Sequence, residues 1–129
     1  MIIAALLLAA SLPACTITDG DTIRCGDERI RLTGINAPEM RGHCRRGMDC
    51  PPGDPIASRE SLRRFMIGKR LTIRRFYTAR GKLVTDRYGR TLAVVYADGA
   101  NVACHQLRTG HARYRQDWDR QRVIGRDCR

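Results

Sequence analysis

Residues 19–39, DGDTIRCGDERIRLTGINAPE, constrain this chain more than any other stretch. Asp19-Gly20-Asp21 is a turn signal between alternating segments. Ile23, Ile30 and Leu32 supply β-type residues, and Gly34 and Pro38 punctuate the run after Leu32. Cys15 and Cys25 are symmetric about Gly20, so a three-residue hairpin loop sets them opposite each other. Directly opposed side chains in a sheet have Cβ atoms about 5 Å apart, close to disulfide reach. Two or three strands of this kind bring Asp21, Arg31, Asn36 and Glu39 together. Carboxylates beside an arginine are ingredients of a metal and phosphate site. The same stretch also suits a solvated hairpin with ordinary surface charges, since short acidic turns are common.

The remaining pattern predicts a mainly β chain with helices. A third strand is expected over residues 28–33, and 35–39 reads as a loop because Pro38 disfavours helix in the residue before it. Residues 40–55 are rich in Arg, Gly, Cys and Pro and read as an irregular loop. Residues 57–67 read as a helix capped by Asp54 or Ser58, with Ala57, Leu62, Phe65 and Met66 as its apolar stripe and Gly68 as its stop. Strands are expected over 71–77 and 91–96, and a helix over 101–109 ending at Gly110. A third, charged helix is expected over 114–128, anchored by Trp118. Meandering short strands suggest a small barrel or sandwich. No internal boundary breaks residues 15–129, which read as one domain.

Charge and cysteines narrow the function classes. Lys and Arg number 24 against 13 acids, a formal net charge of +11, and the great majority of the cations are arginine. Such a field attracts polyanions, and the planar guanidinium fork grips phosphate where lysine offers a point charge. Nucleic acid leads; anionic membrane and heparin-like polymers are the other classes. The 6 cysteines suit an oxidising compartment. Cys15–Cys25, Cys44–Cys50 and Cys104–Cys128 are the expected pairs among about fifteen possible sets. The rival is a zinc site built on His43, Cys44 and Cys50, whose spacing matches no strong zinc pattern. Residues 1–14, MIIAALLLAASLPA, are uncharged, apolar and too short to span a bilayer. They read as a signal peptide, with a buried first strand or an acylated Cys15 as alternatives. A secreted or periplasmic monomer without stable membrane insertion is expected.

Three blocks carry a resemblance: DGDTI at 19–23, RLTGINAPE at 31–39 and TDRYGRTLAVVYADG at 85–99. In this order, with a helix between the second and third, they resemble the staphylococcal nuclease (thermonuclease) family. The resemblance implies an α+β fold, a five-stranded OB-fold barrel with about three helices. It implies a phosphodiesterase that cuts DNA and RNA, bound to one calcium ion. Asp21 corresponds to a calcium-ligating carboxylate and Asn36 to the place of a second aspartate, while Ala37 would offer its main-chain carbonyl. Glu39 corresponds to the general base or water-positioner, Arg31 and Arg90 to the arginines on the scissile phosphate, and Arg87 and Tyr88 to nucleotide contacts. Taken singly, Arg31 could equally pair with Glu28 or Asp27, and Arg90 with Asp86. Two other functions stay open: a non-catalytic nucleic-acid-binding OB module, and a cationic protein acting on anionic envelopes.

Overall fold

The computed structural model describes residues 14–129. The expected leader over 1–14 lies outside them, save for Ala14. Strand β1 (Cys15–Asp19) turns back at Gly20-Asp21 into β2 (Thr22–Cys25). The register sets Cys15 opposite Cys25, with a bulge between Ile17 and Asp19, and the two cysteines are disulfide-bonded. Strand β3 (Glu28–Leu32) continues the antiparallel meander. Alternation sends Ile23, Ile30 and Leu32 into the core, each at 1% exposure or less.

After β3 the chain makes a short strand β4 (Ile35–Asn36), a long loop, helix α1 (Pro55–Met66) and strand β5 (Leu71–Arg75). Strand β6 (Thr91–Ala97) then lies antiparallel to β5 and parallel to β3, pairing Ile30 with Thr91 and Arg31 with Leu92. A parallel pair needs a long crossover, and residues 33–90 supply it. The hydrogen-bonded order is β1-β2-β3-β6-β5, with β7 (Ala100–Asn101) added to β6. This is the five-strand path of the expected α+β, OB-like fold; among the described residues no ladder joins β1 to β5.

Pro55 opens α1, and the Asp54 carboxylate accepts from the amides of Ile56 and Ala57, which are otherwise unpaired at a helix start. Asn101 caps helix α2 (Val102–Arg108) through the Ala103 amide. Leu62, Val94, Val95, Val102, Val123 and Ile124 close the core between helices and sheet.

Three expectations need correction. Residues 114–128 are not one helix. They hold half of a strand β8 (Arg113–Tyr114), a single 3-10 turn (Gln116–Trp118) and a short helix α3 (Val123–Asp127). The reason is Asp119, buried at 1% exposure, whose carboxylate accepts from the Tyr114 hydroxyl and the amides of Ile124 and Gly125. Its competing side-chain bonds restart the helix instead of continuing it. Residues 35–36 are likewise strand rather than loop, because Ile35 and Asn36 pair with Tyr114 and Arg113. The predicted strand over 71–77 stops at Arg75, and Tyr77 forms an isolated bridge with Leu83. Cys44–Cys50 and Cys104–Cys128 are bonded as expected, so the zinc reading loses both its thiolates and acylation loses Cys15.

Gly20 is the tightest point of the hairpin. A Cβ there would sit 1.8 Å from Ser58 Oγ and 2.9 Å from the Ala37 Cβ. Gln106, fully buried on α2, donates from Nε2 to the carbonyls of Gly20 and Ser58, both at 2.9 Å, locking the turn onto both helices. Gly20→Ala is therefore expected to cost about 1–3 kcal/mol by overpacking, and Asp54→Ala about 1 kcal/mol through the lost cap. Urea denaturation of each variant against the parent measures both as shifts of the midpoint.

Candidate active site

The acidic turn, the β3 edge, the 36–49 loop and the turn before β6 enclose one cleft of about 1200 Å³. That exceeds the usual range for small-molecule pockets, roughly 300–1,000 Å³, and suits a polymer chain lying in an open groove.

Asp21 forms its floor. The carboxylate is 4% exposed. Oδ2 accepts from the Ala37 amide at 2.8 Å and stands 3.3 Å from Arg31 Nη2, while Oδ1 accepts from the Thr22 hydroxyl at 3.0 Å. Arg31 in turn donates from Nη1 to the carbonyls of Leu32 and Ile35, both at 2.9 Å. The guanidinium is thus fixed on two sides. It does not pair with Glu28, which bonds Arg75.

Arg90 arrives at the foot of β6. Its Nε donates to Asp86 Oδ2 at 2.7 Å and its Nη1 to the Thr22 hydroxyl at 3.3 Å. The surface pairing with Asp86 is real, and the reach to the acidic turn is real too. Asp86 Oδ1 accepts from the amides of Tyr88 and Arg90, both at 2.9 Å, which shapes the turn presenting Arg87 and Tyr88. Arg87 Nη2 donates to the Tyr88 hydroxyl at 2.8 Å, and the Arg90 guanidinium lies 5.4 Å from the Tyr88 ring centre.

Glu39 lines the same cleft, beyond Pro38. Burial, then the Asp21 charge, pushes its carboxyl above the usual glutamate range, while Arg31, Arg90 and His43 pull it back. Asp21, Arg31, Glu39 and Arg90 therefore act on one another across one cleft. Asn36 is 2% exposed and donates from Nδ2 to the Asp49 carbonyl at 2.8 Å, which leaves Oδ1 free of that bond.

Asp19 and Trp118 line the cleft without a site role in the sequence reading, and Arg115 packs on Trp118. Asp19 sets its carboxyl against Asp21; burial and that neighbouring charge raise it to about 7. Trp118 anchors no helix. Its ring lines the cleft at 38% exposure, with the guanidinium of Arg115 at 4.2 Å and that of Arg31 at 5.3 Å from its centre. Arg115 also bridges Asp117 and Asp49, tying the chain after β8 to the Cys44–Cys50 loop. An Asp-Gly-Asp turn signals Asp19, but nothing in the local pattern signals Trp118, which reaches the cleft through the β4–β8 pairing.

A family model described as staphylococcal nuclease homologue matches residues 29–124. The chain belongs to that family. The matched span of this staphylococcal nuclease homologue includes Arg31, Asn36, Glu39, Arg90 and Trp118, while the Asp19–Asp21 turn precedes it. Proteins named "Uncharacterized endonuclease" in Escherichia coli O157:H7 and in Escherichia coli are each 36% identical over 101 residues, covering 74% of this chain and 55% of theirs. A protein named "Succinoglycan biosynthesis protein ExoI" in Rhizobium meliloti (strain 1021) is 35% identical over 100 residues, covering 75% of this chain and 48% of its own. The chain spans about half the length of the curated relatives it matches.

The Asp19 shift sets a pH dependence. Its carboxyl titrates near 3.8 when unperturbed and near 7 in the fold, so the folded state holds a proton the unfolded chain has already released. That contribution to stability is full below about pH 3.8 and is lost as pH rises through about 7. In chelator, Asp19→Asn is expected to flatten the stability profile across that window, read from denaturant midpoints at successive pH values.

Proposed function

We propose that this chain is a calcium-dependent nuclease that hydrolyses phosphodiester bonds in DNA and RNA. One observation carries the reading: two immobilised guanidinium groups and the Glu39 carboxyl line one open, polymer-sized cleft.

Calcium fits the donor chemistry of the acidic turn. Asp19 and Asp21 set two carboxyls together in the acidic turn. No three His, Cys, Asp or Glu side chains among the described residues form a metal cluster. The ion would instead be held by Asp21, the Asn36 amide oxygen, the Ala37 carbonyl and water, which suits a hard, oxygen-seeking cation of flexible coordination. Bound there, it supplies Lewis-acid polarisation of a phosphoryl oxygen.

The chain's own residues do the rest. Arg31 and Arg90 grip the non-bridging oxygens of a phosphodiester, whose charge grows in the transition state; fixed donors stabilise that state above the ground state. Their partners Leu32, Ile35, Asp86 and Thr22 hold the forks in place beforehand. Glu39 orients water and accepts its proton, and a carboxylate with a raised pKa is the stronger base for that step. Arg87 and Tyr88 contact the neighbouring nucleotide from the exposed turn. Water attack breaks the bond between phosphorus and the 5′-oxygen and leaves a 3′-phosphate.

The compartment is proposed as secreted or periplasmic, with residues 1–14 as the leader and 15–129 as one domain. Three disulfides support an oxidising environment, and no described helix is long and apolar enough to cross a membrane. A monomer is the assumed state. The second reading, a binding module without catalysis, draws on Asn36, which contributes no charge where an aspartate would.

Incubation with plasmid and single-stranded DNA, and with RNA, with calcium or chelator, separates the two. Calcium-dependent degradation is expected, lost in Asp21→Ala and slowed about 10²–10⁴-fold in Glu39→Gln. Arg31→Ala and Arg90→Ala are each expected to slow it about 10²–10³-fold. Because Glu39 must be ionised, kcat/KM should rise with pH on a limb lying above the ordinary glutamate range. Asn36→Asp should tighten calcium in a direct titration. Tight, salt-sensitive binding with every substrate left intact would replace the enzyme with the binding module.

A further inference from the structure

Helices α1 and α2 form a second concavity of about 410 Å³ that shares no residue with the cleft. Its basic side chains are Arg64, Lys69, His105 and His111. The Lys69 ammonium lies 3.8 Å from the Phe65 ring centre, and the His105 ring stacks on Phe65 at 4.2 Å and 10°. A stacked ring covers one face, so the ammonium takes the other, and Phe65 holds both groups at fixed positions. Ser61 Oγ bonds His105 Nε2 at 3.0 Å, and Thr109 Oγ1 bonds His111 Nδ1 at 2.8 Å.

No acid lines this concavity, and the two lining cations Arg64 and Lys69, like Arg108 beside it, make no ion pair among the described residues. Glu60, the nearby acid on α1, is engaged by Arg59 and Arg63. Burial and then the charges of Arg108, His111 and Lys69 push the His105 imidazole below its usual range, and a hydrogen bond with Ser61 pulls it part of the way back. Like charges assembled without a counter-charge are repulsive, and an anion seated among them removes that cost.

We propose that this concavity is a second anion site, taking a backbone phosphate of a polynucleotide outside the cleft. Arg64 and Lys69 supply charge, and as the anion approaches His105 gains a proton at Nε2, which then donates to Ser61 Oγ and frees the Ser61 hydroxyl as a neutral donor. The site is open and would hold a lone phosphate weakly. A strand already lying in the cleft delivers further phosphates at high effective concentration. The identity of the ligand rests on the nuclease reading; the site itself does not.

Binding is measured in chelator, so that cleavage plays no part, by anisotropy of a labelled long single strand and of a dinucleotide. The pair Arg64→Ala and Lys69→Ala is compared with a charge-matched pair on the 78–82 turn, Arg80→Ala and Lys82→Ala, which line neither the cleft nor the concavity. Removing the contacts to that one phosphate should weaken the long strand roughly ten-fold and flatten the slope of log K against log salt by about 0.7. The charge-matched pair should change neither, and the dinucleotide should bind alike in all. In the parent, ring signals of His105 should move with the long strand at concentrations where inorganic phosphate leaves them in place. Equal losses in both pairs, no loss in either, movement with free phosphate alone, or a loss seen only on anionic phosphatidylglycerol vesicles would overturn the proposal. None of these outcomes depends on whether the cleft cleaves.

Discussion

The cleft hangs on one buried carboxylate. Asp21 receives the Ala37 amide, the Thr22 hydroxyl and the Arg31 guanidinium, so three separate segments of chain converge on its two oxygens. An acid this buried costs a great deal of solvation unless it is paired and hydrogen-bonded. The bonds that offset the cost are those that bring the β3 edge and the loop after β4 to the acidic turn. Stability and the shape of the site are here one requirement. The packing behind the turn is as strict, because Gly20 leaves no room for a side chain against Ser58 and Ala37.

Around that acid the two guanidinium groups are paired with carboxylates other than Glu39. Arg31 leans on Asp21 and two carbonyls, Arg90 on Asp86 and Thr22. A guanidinium whose donors are only partly used keeps a fork for an incoming phosphate. Trp118 extends the same economy, since its ring faces two guanidinium groups and leaves them charged. The Cys44–Cys50 bridge and the Arg115–Asp49 contact hold the opposite wall, and the Asp49 carbonyl fixes Asn36.

How much of the fold and the site is legible in the sequence depends on the range of each interaction. The Cys15–Cys25 hairpin is local, and period-two alternation around a symmetric loop determines it. Helix α1 announces itself through Asp54 and its apolar stripe, although it begins at Pro55 rather than Ala57, and α2 through its stop at Gly110. The grouping of Arg31 with Arg90 comes from family resemblance alone, because spacing does not reveal that β3 and β6 run parallel. The segment after Gly110 misleads for the same reason in reverse. Its charged, helix-tolerant composition hides the fact that Asp119 binds the amides of Ile124 and Gly125 and that Tyr114 pairs with Ile35. Trp118 and Asp19 depend on surroundings that no short window contains.

The parallel β3–β6 ladder has a temporal consequence. Arg31 and Arg90 meet only when strands separated by the whole central crossover find each other, and non-local pairings of this kind form late. Trp118 and the β8 strand come later still in the chain. A polypeptide emerging gradually from a ribosome therefore carries no assembled cleft until nearly all of it is out. Timing is written into the topology: the groove exists only once both ends of the crossover have been made.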